Sequence, residues 1–109
     1  MLKIAVCILL MAFAAFATAA MPILGAGAVS CGTWTKDRKA NLFAQAVNLS
    51  WVQGYISSYN FHTDRNLFDG VDNDAITAWM DNYCAKNPLA AIHDAAVELE
   101  GELNRRNSR

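Results

Sequence analysis

The apolar residues of this chain are unevenly placed, and the unevenness decides how much of it is available to form a core. Met1 to Ala28 hold 23 of the 59 hydrophobic residues, leaving 36 for the 81 residues from Val29 to Arg109. The front segment opens with Lys3 and runs through an unbroken apolar stretch, Ile4 to Ala17, before Pro22 and Gly25 end it. A positive start, a short apolar stretch and then small residues is the pattern of an export signal. Small residues suited to a peptidase stand at Ala17-Thr18-Ala19 and again at Ala26-Gly27-Ala28. With Pro22 as a helix breaker a few residues ahead of the cut, the expected cleavage follows Ala28; failing that, the exported chain begins at Ala20. The expected organisation is a signal peptide at 1–28 and a single, exported helical domain at 29–109. Two alternatives stand beside it. One is a retained membrane anchor, but Ile4 to Met21 reaches the roughly 18 apolar residues needed only by counting Thr18. The other is lipidation of Cys31 after Ala28-Val29-Ser30.

A remainder of 81 residues has room for one core. It carries every acid and every base but Lys3, eight Lys and Arg against ten Asp and Glu, for a net charge of −2. With no basic field, nucleic acid is excluded as a partner. Export also changes what the cysteines mean: Cys7 leaves with the signal, while Cys31 and Cys84 enter a compartment that permits disulfides. They read as a bridge, with two buried free thiols as the alternative. Closing a loop of about 53 residues stabilises the fold by roughly 4 kcal/mol in the chain-entropy model. Two cysteines are too few for a structural zinc site unless His62 and His93 converge on them, so no metal and no cofactor is expected.

Beyond the signal the pattern is helical throughout, with no strand alternation and no internal repeat. Thr33 to Lys39 makes one or two turns capped by Thr33 or Thr35. Asn41 to about Tyr59 is the longest helix, with Ala44, Val47, Trp51, Tyr55 and Ser58 on one stripe and Leu49, Val52 and Ile56 on the next. Two stripes imply burial on more than one side, and Gly54 between them marks a close approach of another backbone. Asn60 to Val71 reads as a loop anchored by Phe61, Leu67 and Phe68. Asp72, Asn73 and Asp74 cap the third helix, whose core face holds Ile76, Trp79, Met80, Tyr83 and Cys84, while Asp81, Asn82 and Lys86 point away. Asn87-Pro88 stops that helix and starts the next, which carries an apolar seam of Leu89, Ile92, Ala96, Leu99 and Leu103 and a basic end at Arg105 and Arg106. The fold class is therefore all-α, a small disulfide-closed bundle of about four helices.

Little in the sequence points to catalysis. The run Asp69-Gly70-Val71-Asp72-Asn73-Asp74 resembles a calcium loop, but a frame opening at Asp72 puts Thr77 where the glycine belongs and Tyr83 where the glutamate belongs. His62 and His93 have no nucleophile motif to serve, and both read as solvated. Glu98, Glu100 and Glu102 alternate around a helix and read as soluble surface. The aromatics Trp34, Trp51, Tyr55, Tyr59, Trp79 and Tyr83 read mostly as core, and no enzymatic activity is expected.

Cys31, then Trp51-Val52-Gln53-Gly54-Tyr55, then Tyr83-Cys84-Ala85-Lys86-Asn87-Pro88 followed by an amphipathic helix resemble the HdeA/HdeB acid-stress chaperones of the bacterial periplasm. The likeness runs from Cys31 to Leu103. It implies an all-helical fold, a disulfide between Cys31 and Cys84, a homodimer that opens in acid, and an activity of binding unfolded proteins, with Trp51, Tyr55, Trp79 and Leu99 as candidate client-binding residues. A second, weaker resemblance is to the Tai-type immunity proteins, which neutralise an effector delivered into the periplasm. It rests on Gly54-Tyr55-Ile56 and Asn87-Pro88, and departs at Gln53, where those proteins carry a cysteine. Neither resemblance implies stable membrane insertion once the signal is removed.

Overall fold

Three short polar side chains, Ser30, Asn41 and Asp72, stand one residue ahead of a helical run, and in the computed structural model each starts a helix. The structure describes residues 22–108, so the apolar stretch of the expected signal lies outside the described residues. Ser30 Oγ accepts the Thr33 N–H at 3.1 Å and opens α1, Cys31–Ala40. Asn41 Oδ1 accepts the Ala44 N–H at 3.0 Å and opens α2, Leu42–Thr63. Asp72 Oδ1 accepts the Ala75 N–H at 2.8 Å and opens α3, Asn73–Lys86. Each oxygen satisfies a donor that the first helical turn leaves without an intrahelical partner. The last helix, α4, Ile92–Asn107, begins without a side-chain cap at Ala91; instead the Asp94 carboxylate reaches back to accept the Ala91 N–H at 2.9 Å. A single 3-10 turn, Gly25–Ala28, precedes α1. Among the described residues the only strand-like pairing is an isolated bridge between Ser30 and Ala91, so the expected all-α bundle of four helices is what forms.

Several boundaries differ from the sequence expectation, each for a local reason. α1 is capped by Ser30, not by Thr33 or Thr35, because it begins at Cys31. α2 continues through Asn60–Thr63, which reads as loop in the sequence. Asn60 keeps helical backbone and sends its side chain outward to accept the Leu67 N–H at 2.9 Å, so the residue expected to break the helix instead anchors the loop behind it. α2 ends at Asp64, in the left-handed region at φ 54°. Asn87 terminates α3, its side-chain amide donating to the Tyr83 carbonyl at 2.9 Å, but Pro88 does not open α4. The carbonyls of Pro88 and Ala90 point instead to the start of α1, accepting from the Gly32 N–H at 3.0 Å and the Cys31 N–H at 2.7 Å. Leu89, expected in the α4 seam, is 97% exposed in that turn. No neighbouring atom lies within 4 Å of a Cβ built on Gly54, so no other backbone approaches it.

The core gathers Val52 and Ile56 from α2, Ile76, Met80 and Cys84 from α3, and Ile92, Ala95, Ala96, Leu99 and Leu103 from α4. Cys31 and Trp34 close it from α1, and Leu67 from the loop. Each buried Ile, Leu or Met contributes about 1.5–3 kcal/mol relative to exposure. Cys31 and Cys84 are bonded to each other, both fully buried, with Cα atoms 4.7 Å apart. That bond removes both the free-thiol alternative and lipidation of Cys31. Removing either cysteine therefore opens the same loop. Cys31→Ser and Cys84→Ser should lower thermal stability alike, by about 2–5 kcal/mol, with little added by the double substitution. Thermal melts of the three variants check this.

Candidate functional site

Two polar clusters and one bare helix face distinguish the surface of this bundle. The first cluster joins α1 to α3. Trp34 is buried, and its indole Nε1–H donates to Asp81 Oδ1 at 2.7 Å. Arg38, one turn further along α1, donates to the same carboxylate through Nε at 2.9 Å and Nη2 at 3.1 Å. Asp81, expected to point away from the core face, thus receives three donors from α1. Arg38 also donates through Nη1 to Gln45 Oε1 at 2.7 Å, and buried Asn48 donates to Asp37 Oδ2 at 3.0 Å, which brings α2 into the network. The hydrogen bond from Arg38 to Asp81 pushes the guanidinium pKa further up from its already high value. The side chains of Arg38 and Asp81 are 35% and 38% exposed, so solvent screens the pair and its Coulombic share is at most about 1 kcal/mol. The buried indole donor makes the carboxylate matter more, because leaving it unmet costs about 1–3 kcal/mol.

The second cluster lies where α2 faces α4. Trp51 stacks on Tyr55 at 5.9 Å, and His93 presents its ring edge-on to both, at 6.2 and 5.8 Å. His93, expected to be solvated, is half-buried here, because the two aromatic rings of α2 cover its position on α4. The Tyr55 hydroxyl donates to Glu100 Oε2 at 2.9 Å, so one glutamate of the expected soluble row has a structural partner. Desolvation first, and then the hydrogen bond to Glu100, push the Tyr55 phenol up to about 12. The indole N–H of Trp51 donates to the Leu24 carbonyl at 3.0 Å, and its ring covers Gly27.

The bare face belongs to α2. This helix of 22 residues contains no Asp, Glu, Lys or Arg, and its outward side leaves Leu42, Phe43, Val47 and Phe61 at 82%, 79%, 45% and 85% exposure. No helix among the described residues is long and apolar enough to cross a membrane. Exposed apolar side chains without interleaved charge are a common feature of protein-binding surfaces. On α3, Trp79 and Tyr83 stack at 5.4 Å and line a shallow groove with Asn82 and Lys86; both rings are half-exposed where the sequence placed them in the core.

The candidate client-binding residues thus scatter. Trp51 and Tyr55 share the α2–α4 cluster, Trp79 lies on α3, and Leu99 is buried in the core. No group of three or more metal-ligating side chains occurs among the described residues. Sequence reasoning missed the Asp81 network; only its edge on α2 left a trace, in Gln45 and Asn48, two amides three residues apart that bond to Arg38 and Asp37. Compared with protein-family models, with curated proteins and with solved structures, the chain finds no match.

Asp81→Ala strands the Trp34 N–H and should cost about 1–3 kcal/mol in urea denaturation, whereas Asp81→Asn retains an acceptor and should cost less. Tyr55 generates a prediction in alkali. Its folded pKa lies above the ordinary value of 10, so its contribution is fully present below pH 10 and is lost as pH rises towards about 12. Ultraviolet titration of the folded protein should show a late phenol ionisation that Tyr55→Phe removes.

Proposed function

We propose that this chain is an exported helical domain of the periplasm that binds other proteins and catalyses no reaction, acting as an HdeA/HdeB-like acid-stress chaperone. The Asp81 latch is the observation that carries the reading. One partly exposed carboxylate holds three donors of α1, and one of those donors belongs to a buried tryptophan. Acid below about pH 4 protonates ordinary carboxylates. Residues 29–109 then pass from a net charge of −2 to +10, the sum of eight Lys and Arg and two His, and self-repulsion works against the compact state. The Cys31–Cys84 bond keeps α1 and α3 joined while the bundle loosens. Loosening frees Trp51, Tyr55 and Trp79 from their half-buried stacks, and brings the buried Leu99 seam within reach of an unfolded client. Such a domain needs no cofactor, and its partners are unfolded proteins, with a second copy of itself as the resting partner.

A different observation favours a second reading. The first turns of α2 leave Leu42, Phe43 and Val47 exposed and without charge in the folded domain, and Phe61 is exposed near the far end of the helix. A surface that is ready without unfolding suits a specific protein partner, as in a Tai-type immunity protein that neutralises an effector delivered into the periplasm.

The two readings separate in one experiment. For a chaperone, the oxidised domain at pH 3 should bind an apolar-surface dye and suppress aggregation of an unrelated client, and should do neither at pH 7. A domain that stays folded and inert at pH 3 ends the chaperone reading and leaves the immunity reading in its place.

A further inference from the structure

We propose that the export peptidase cuts between Ala19 and Ala20, so that Pro22–Ala28 is retained as a working part of the mature protein; this rests on the export reading above. The Ala26-Gly27-Ala28 site fits the sequence pattern of a cut equally well, but the structure gives the residues around it a role that a discarded leader does not need. Trp51 donates its indole N–H to the Leu24 carbonyl at 3.0 Å. Its ring lies so close over Gly27 that a Cβ added there would fall within the indole, which only glycine permits. Gly27 is buried, and Gly25 supplies the turn that delivers it, at φ 74°. The path continues without a break into the Val29 carbonyl, which accepts the Ile92 N–H at 2.9 Å, and into Cys31. Two glycines are thus placed where α2 and α4 require them. A leader removed before folding is under no such stereochemical demand.

Leu24 itself is 81% exposed, so the segment is held by its backbone and by its lack of side chain at Gly27, not by burying an apolar anchor. A cut after Ala28 would strip the cover from Trp51, turn its N–H out to water and leave a charged amine on Val29, next to the bridge formed by Ser30 and Ala91. A cut after Ala19 avoids all three. Ala17 and Ala19 provide the two small side chains that such a peptidase reads, three residues and one residue before the bond. Water is the co-reactant. The Ala19–Ala20 amide is hydrolysed, a carboxylate forms on Ala19 and the new amino terminus on Ala20.

Two measurements on the full chain, expressed in a bacterium with export, test the proposal. Intact mass of the disulfide-bonded periplasmic product should correspond to Ala20–Arg109. A mass corresponding to Val29–Arg109 overturns it. A product that retains Met1 in the membrane overturns the export reading and the proposal together, and differs from the Val29 result by mass alone. Gly27→Val gives an independent readout. If Gly27 persists in the mature protein, the valine displaces Trp51, shifts its fluorescence and lowers Tm by several degrees. If Gly27 is discarded, variant and parent yield the same mature molecule with identical mass and Tm, and the proposal fails.

Discussion

Cys31 is held both by its sulfur and by its backbone, and the placement of α1, α3 and α4 relative to one another depends on it. Its sulfur is bonded to Cys84, in the last turn of α3. Its N–H donates to Ala90 at 2.7 Å, while its neighbours exchange backbone bonds with Pro88 and Ile92. One short stretch therefore fixes the start of α1, the end of α3, the turn that follows and the start of α4. Buried sulfur and buried backbone donors act together here. Backbone groups taken out of water need partners, and the 87–91 turn satisfies them by giving up the helix that Pro88 would otherwise have begun.

Polar and apolar contacts then divide the remaining work. The apolar core joins α2, α3 and α4, whereas α1, which is short and has only Cys31 and Trp34 buried, is held through its polar residues. Arg38, Asp37 and the Trp34 indole reach Asp81, Gln45 and Asn48. Beyond the disulfide at its first residue, α1 is thus tied to α2 and α3 largely by charged and polar side chains. The exposed apolar side chains of α2 are independent of these ties. The two proposed readings draw on different features, one on loosening in acid and the other on side chains already exposed in the folded domain.

The helical class, the pairing of the cysteines and the cap at Asp72 were legible in the sequence, because each follows from local residue chemistry and from the small number of partners available. The core membership of Ile76, Met80 and Cys84 was legible from helical spacing. Trp79 and Tyr83 were not separable from them by spacing, since a face half a turn wide includes residues that end up on its rim. The end of α2 was hidden because Asn60 serves helix and loop at once, with backbone in one and side chain in the other. Asp81 was read as solvated because its partners lie 43 and 47 residues away on α1, and no local pattern signals an acceptor for a distant indole. His93 was misplaced for the same reason: its covering rings come from another helix.

The backbone bridge between Val29–Gly32 and Pro88–Ile92 also sets an order of events. A ribosome delivers residue 29 long before residue 92, so the backbone partners of Val29–Gly32 come only when nearly all of the chain has been made. Helical bundles usually fold quickly because their contacts are local. This one must close a loop of 53 residues before the start of its first helix is secured. Its nascent chain therefore carries an unpaired Cys31 and an uncovered Trp34 through most of synthesis, and keeping those groups from wrong partners is a task for the cell, not for the finished fold.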